Sequence, residues 1–141
     1  MSSRDAISPR GSSPSSRAAL DARPLPRPQI LLVDDDEGLL DTLGAFLRLT
    51  GYSVVTVRTY DLAVEHLRSY RPDILITDLQ LGDADGWHLA YEARRDQPLL
   101  SVVVVTAWLY LSDLAPGGPG IPVFIKPFDP EELLRYLQSI C

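Results

Sequence analysis

The chain has 141 residues, 45% of them hydrophobic, and a formal charge of −6, which is one domain's worth of sequence with enough apolar surface to bury a core. Residues 1–28 hold five Arg against two Asp, hence +3, so the remainder carries −9, a balance that argues against wrapping nucleic acid. The single cysteine, Cys141, excludes an internal disulfide, and the longest apolar stretch, 99–111, falls short of the ~20 residues of a membrane-spanning helix.

Residues 1–28 are rich in Ser, Pro and Arg and nearly free of bulky apolar groups. Such a segment cannot offset its ordering entropy, so it is expected to be a disordered arm, a solvated tether before one domain over 29–141. From Gln29 onward short apolar runs alternate with helical periodicities, the pattern of a parallel α/β sheet. Ile30-Leu31-Leu32-Val33 predicts a first strand that ends in Asp34-Asp35-Asp36-Glu37. The helix after it presents Leu39, Leu43, Phe46 and Leu47 inward and stops at Gly51. Residues 52–57 predict the second strand, and Thr59 caps a helix running to about Tyr70, before Arg71-Pro72. Ile74-Leu75-Ile76-Thr77 is the third strand, ending at Asp78; a loop over 79–86 leads into a helix over 87–96. The β-branched run Val102-Val103-Val104-Val105 predicts a fourth strand, buried on both faces and ending at Thr106. Val123-Phe124-Ile125 predicts a fifth, ending at Lys126-Pro127. Asp129 as N-cap, Pro130 as first helical residue and Glu132 in a capping box open the last helix. The result is a doubly wound five-stranded parallel sheet, whose ligands bind at the carboxyl ends of the strands.

At those ends stand Asp34, Asp35, Asp78, Thr106 and Lys126. Crowded carboxylates either hold protons at raised pKa or share a cation, and with only oxygen ligands at hand Mg²⁺ is the natural ion. A cation there would offset the approach of an anionic phosphoryl group to Asp78 as nucleophile, with Lys126 as a second positive charge and Thr106 as a hydroxyl donor.

The segments ILLVDDDE (30–37), ILITDLQL (74–81) with Asp85-Gly86 beyond, VVVVTA (102–107) and IKPF (125–128) together resemble the receiver domain of two-component response regulators. The resemblance covers 29–141 and implies a flavodoxin-like fold with strand order 2-1-3-4-5. It implies that Asp78 receives a phosphoryl group from a sensor histidine kinase or phosphotransfer protein, and that the chain is a signalling domain rather than an enzyme. By the same resemblance Asp35 is a direct Mg²⁺ ligand, Asp34 a ligand through water and the Gln80 backbone carbonyl a further ligand. Thr106 resembles the switch hydroxyl and Lys126 the phosphate-binding lysine, with a cis bond to Pro127. The implied protein is a stand-alone cytoplasmic receiver, without a DNA-binding domain or membrane attachment, that signals to a downstream protein by contact.

Three features depart from the family pattern, and Trp108 is a further one of note. Gly82 replaces the usual Pro four residues after the acceptor, which predicts a more mobile loop. Val123 stands where an aromatic is usual, and Phe124 beside it points to the opposite sheet face, so the usual coupling to the switch hydroxyl is not expected. Pro116-Gly117-Gly118-Pro119-Gly120 predicts a shortened or irregular fourth helix. Trp108, two residues past Thr106, is expected to hinder in-line water and so to prolong the phosphorylated state. Asp83 and Asp85 read as turn and cap residues, His66 and His88 as isolated surface groups, and Trp87 as core packing or a partner contact.

Two rival functions remain. One is a receiver-like binding module that works without phosphorylation. The other is a haloacid-dehalogenase-like phosphatase, suggested by Asp34-x-Asp36 after the first strand and opposed by Gly38, by the lack of a late acidic pair and by the short chain.

Overall fold

A computed structural model describes residues 27–107 and 120–140. The expected disordered arm as far as residue 26, Trp108, the expected shortened or irregular fourth helix as far as Pro119, and Cys141 lie outside the described residues. In chain order the elements are β1 (Gln29–Val33), α1 (Glu37–Leu49), β2 (Ser53–Val57), α2 (Tyr60–Tyr70), β3 (Ile74–Thr77), β4 (Gln80–Leu81), β5 (Ala84–Asp85), α3 (Gly86–Asp96), β6 (Ser101–Ala107), β7 (Val123–Lys126) and α4 (Pro130–Ile140). Five strands form one parallel sheet ordered β2-β1-β3-β6-β7. That is the expected order, with β6 and β7 as the fourth and fifth long strands.

Alternation along the strands sorts the core into two layers. Ile30, Leu32, Ile74, Ile76, Val103 and Val105 face α1 and α4, against Leu40, Leu43, Leu47, Leu133 and Leu137. Leu31, Val33, Leu75 and Val102 face α2 and α3, against Ala63, Leu89, Ala90 and Ala93. Each fully buried Leu or Ile contributes roughly 1.5–3 kcal/mol, so these layers are the main force holding the strand ends in register. On α1 the centre of the buried stripe is Leu40, Leu43 and Leu47, which corrects the expected inner face. Leu39 and Phe46 sit about 100° round the helix from Leu40 and Leu47 and are only partly buried, at the margin of the core.

Helix starts obey the sequence signals. Thr59 Oγ1 accepts from Leu62 N–H at 3.2 Å, and Asp85 Oδ1 from Trp87 N–H at 2.9 Å. Asp129 Oδ1 accepts from Glu131 N–H at 2.9 Å, one residue earlier than the capping-box pattern asks. His66 and His88 are not isolated: His66 stacks on Tyr70, while His88 stacks on Tyr60 and lies 3.4 Å from the Glu92 carboxylate, which also accepts from the Tyr60 hydroxyl. The contacts of Tyr60 with His88 and Glu92 tie α2 to α3.

The loop expected over 79–86 is instead a two-stranded antiparallel hairpin, with Leu81 opposite Ala84 and Gly82-Asp83 as its turn. Gly82 has φ +62°, a left-handed conformation that proline cannot adopt, so glycine here builds a turn rather than loosening one. Nothing lies within 4 Å of a Cβ added at Gly82, and the cost of Gly82→Ala is backbone strain alone. The expected loss is about 1 kcal/mol in urea unfolding, with Gly82→Asn costing less because Asn tolerates this region.

Candidate functional site

The ladder of β1 and β3 delivers the acidic residues to one end of the sheet. Asp34 N–H donates to the Val57 carbonyl at 3.2 Å, and Asp78 N–H to the Val33 carbonyl at 3.0 Å, so each acid is anchored by the strand beside it. Asp34 is fully buried and Asp78 is 6% exposed, whereas Asp35 is exposed. One carboxylate oxygen from each of the three lies within 4.8 Å of the others.

Lys126, the last residue of β7, spans two of them. Its Nζ donates to Asp34 Oδ2 at 2.6 Å and to Asp78 Oδ2 at 3.0 Å. Asp34 Oδ1 accepts from Asp36 N–H at 2.9 Å and Asp78 Oδ1 from Gln80 N–H at 3.3 Å, which fixes both carboxylates in orientation. Burial pushes the Asp34 carboxyl above the usual carboxylate range, against the pull of Lys126 and the Asp36 N–H. On Lys126 burial works the other way, toward a lower value, but its hydrogen bonds to Asp34 and Asp78 outweigh it and hold the ammonium above the ordinary lysine value. At 2.6 Å the contact is that of an ion pair, so the lysine offsets the burial of Asp34 rather than facing a neutral acid.

Thr106 completes the ring of residues. Thr77 pairs with Val104, so Thr106 stands one residue beyond the level of Asp78 on the neighbouring strand. Its hydroxyl is buried and makes no hydrogen bond, a state that normally costs about 1–3 kcal/mol and marks a donor lacking its acceptor. The Lys126–Pro127 bond is cis, as expected.

The donor set fits a hard divalent cation. Three carboxylates against one ammonium leave a formal charge of −2, and every candidate ligand is oxygen. Asp34, Asp35 and Asp78 are brought together; Gln80 is brought alongside through its N–H bond to Asp78. Asp36 is not part of the group. It is exposed, and its Oδ1 accepts from Leu39 N–H at 3.2 Å as the cap of α1, which removes the Asp34-x-Asp36 pair on which a dehalogenase-like reading depended.

Gly86 belongs to the site as well, although its sequence surroundings give it no such role. A Cβ on Gly86 would stand 1.9 Å from the Asp78 carbonyl oxygen and 2.8 Å from Leu79 Cα, so only glycine lets α3 start against the backbone of Asp78. The Asp85-Gly86 pair is visible as a signal, but its reason is a contact made across the hairpin.

Comparison with known proteins matches the response regulator receiver domain to residues 30–138. The transcriptional regulatory protein GlrR of Escherichia coli (strain K12) is 38% identical over 112 residues, covering 78% of this chain and 25% of that protein. The response regulator MprA of Mycobacterium avium (strain 104) is 32% identical over 114 residues, covering 79% of this chain and 50% of that protein. The chain thus spans a quarter and a half of these two relatives, and the expected stand-alone arrangement has no counterpart in either. Among solved structures, a CheY-like response regulator receiver domain protein from Methanospirillum hungatei JF-1 superimposes with a TM-score of 0.73 at 25% identity, covering 80% of this chain and 92% of that one. Chemotaxis response regulator CheY4 of Vibrio cholerae, at 22% identity and a TM-score of 0.72 over 82% of this chain and 99% of that one, shares the fold. Among the described residues no helix is long and apolar enough to cross a membrane.

Proposed function

The chain belongs to the response regulator receiver domain family, and on that premise we propose that Asp78 accepts a phosphoryl group from a phosphohistidine donor and that the phosphorylated domain signals by contact with another protein. The observation that carries this reading is the bridge of Lys126 Nζ to buried Asp34 and Asp78, beside a buried Thr106 hydroxyl without an acceptor. An Asp78 carboxylate oxygen attacks phosphorus, the phosphorus–nitrogen bond of the donor breaks, and the electron pair leaves with the imidazole.

Asp35 and Asp78 would hold Mg²⁺ directly and Asp34 through water, with the Gln80 carbonyl as a further ligand; the ion would supply positive charge for the approach of the phosphoryl oxygens. Lys126 then exchanges Asp78 for a phosphoryl oxygen without leaving Asp34 unpaired, since its Nζ already contacts both. The Thr106 hydroxyl gains the acceptor it lacks. Gln80 N–H holds Asp78 Oδ1 and keeps the nucleophile oriented.

Incubation with Mg²⁺ and acetyl phosphate should add one phosphoryl mass to the intact protein. Asp78→Asn should abolish the gain, while Asp36→Asn, which alters only a helix cap, should retain it. A gain that survives Asp78→Asn refutes the assignment, and its absence from the unaltered protein returns the domain to phosphorylation-independent binding.

A further inference from the structure

Trp87 occupies a place that neither packing of the main core nor the phosphoryl site explains. It is the second residue of α3 and 3% exposed, in a small cluster with Leu79 and Val104 apart from the two main layers, with Ile121 and Val123 packed against its edge. Two of these neighbours report on opposite sides of the site. Leu79 directly follows Asp78, and its carbonyl accepts from Gly86 N–H at 2.7 Å, so α3 is seated on the acceptor's backbone with no slack for a Cβ. Val104 lies two residues before Thr106 on β6 and therefore shares its sheet face. Val104 also pairs with Val123 and donates its N–H to the Pro122 carbonyl at 2.9 Å.

A large rigid ring between the Asp78–Leu79 backbone and the strand carrying Thr106 responds when the two move relative to one another. Close-packed interiors transmit such shifts because they have few voids to absorb them. The Thr106 hydroxyl has reason to move, since it is buried and without a hydrogen bond until an acceptor arrives beside Asp78. Outward, Tyr91 stacks on Trp87 one helical turn further along, with ring centroids 6.2 Å apart, and is 43% exposed.

From this placement we infer that Trp87 is a positioning residue for signal output: its indole couples the Thr106 hydroxyl to β7 at Val123 and to the α3 surface at Tyr91. The positions that change with the state of Asp78 are then Val123 on β7 and Tyr91 on α3. The inference rests on the reading of Asp78 as phosphoacceptor and goes beyond it in naming the residue that carries the change.

The test uses the full chain labelled with 5-fluorotryptophan, whose two tryptophans give two ¹⁹F resonances, that of Trp87 being the one lost in Trp87→Phe. Phosphorylation with Mg²⁺ and acetyl phosphate, followed in parallel by mass, should move the Trp87 resonance by more than its linewidth, beyond any change with Mg²⁺ alone. Compared at equal phosphorylated fraction, Thr106→Val should shrink the shift at least twofold and Thr106→Ser should restore it. Phosphorylation-induced amide shifts at Ile121 and Val123 should fall at least twofold in Trp87→Leu and recover in Trp87→Phe. A mass gain with an unmoved Trp87 resonance, a full shift in Thr106→Val, or unchanged Val123 shifts in Trp87→Leu each overturn the inference while leaving Asp78 as acceptor. No mass gain in the unaltered protein overturns the phosphoacceptor reading itself.

Discussion

Lys126→Met should destabilise the domain by about 3 kcal/mol near neutral pH without divalent cations, because it strands the buried Asp34 carboxylate beside Asp78. An uncompensated buried charge costs more than the ion pair contributes, so the cost should depend on the charge left behind and not on lost packing. Lys126→Met combined with Asp34→Asn should therefore recover most of the loss in a double-mutant cycle. Equal loss in the single and double variants would refute the electrostatic account. Phosphoryl uptake from acetyl phosphate should fall about 10²-fold in Lys126→Met, the effect of removing one preorganised positive group from a site of charge development.

Stability as a function of pH should separate the two partners of this ion pair. The folded state holds the Lys126 proton more tightly than the unfolded chain, whose value is 10.5. This contribution to stability is complete below 10.5 and is lost as pH rises through the raised folded value. Lys126→Met should lack that part of the alkaline decline. Asp34 has the same sign of linkage in a different pH window: its folded pKa also lies above the unfolded value, here 3.8, so the folded state takes up a proton first on acidification. With the lysine gone, the variant should gain stability relative to the unaltered protein as pH falls through the folded value of Asp34, which urea midpoints across a pH series would record.

Gly86→Ala should be about as costly, at roughly 3 kcal/mol, for a reason that owes nothing to charge. Its Cβ would meet the Asp78 carbonyl oxygen at 1.9 Å and Asp78 C at 2.9 Å, and both are backbone atoms of a buried strand end that cannot swing aside. Either α3 retreats, opening the contacts of Trp87 and Leu89, or Asp78 is displaced. Phosphoryl uptake should fall together with the unfolding midpoint. Gly82→Ala, four residues earlier in open space, is the matched control: it should lose only about a third as much stability and retain uptake. Similar losses at both glycines would mean that general backbone strain, and not the close approach, explains Gly86.

The sequence by itself determined the sheet and which residues stand at its ends. Runs such as Ile30-Leu31-Leu32-Val33 and Val102-Val103-Val104-Val105 are apolar at every position because both sheet faces are covered, and a parallel doubly wound sheet gathers the residues after its strands at one end. Asp34, Asp78, Thr106 and Lys126 were legible for that reason: strand ends are local, and the topology brings local ends together. Helix caps at Thr59, Asp85 and Asp129 were legible because a cap bonds its own next turn.

Tertiary structure alone decided what depends on contacts across the chain. The hairpin around Gly82 reads as a loop in the sequence because two-residue strands carry no periodicity, and only the pairing of Gln80 with Asp85 reveals them. Residue type does not separate Asp35 from Asp36 in DDDE, only the family resemblance does; in the fold Asp36 turns back to cap α1 while Asp35 joins the acids. Trp87 is open between core and partner contact in the sequence, and only the fold shows it buried in a small cluster with Leu79 and Val104. The need for glycine at position 86 exists only because the start of α3 meets the carbonyl of Asp78 from across the hairpin, an approach no neighbour in sequence can announce.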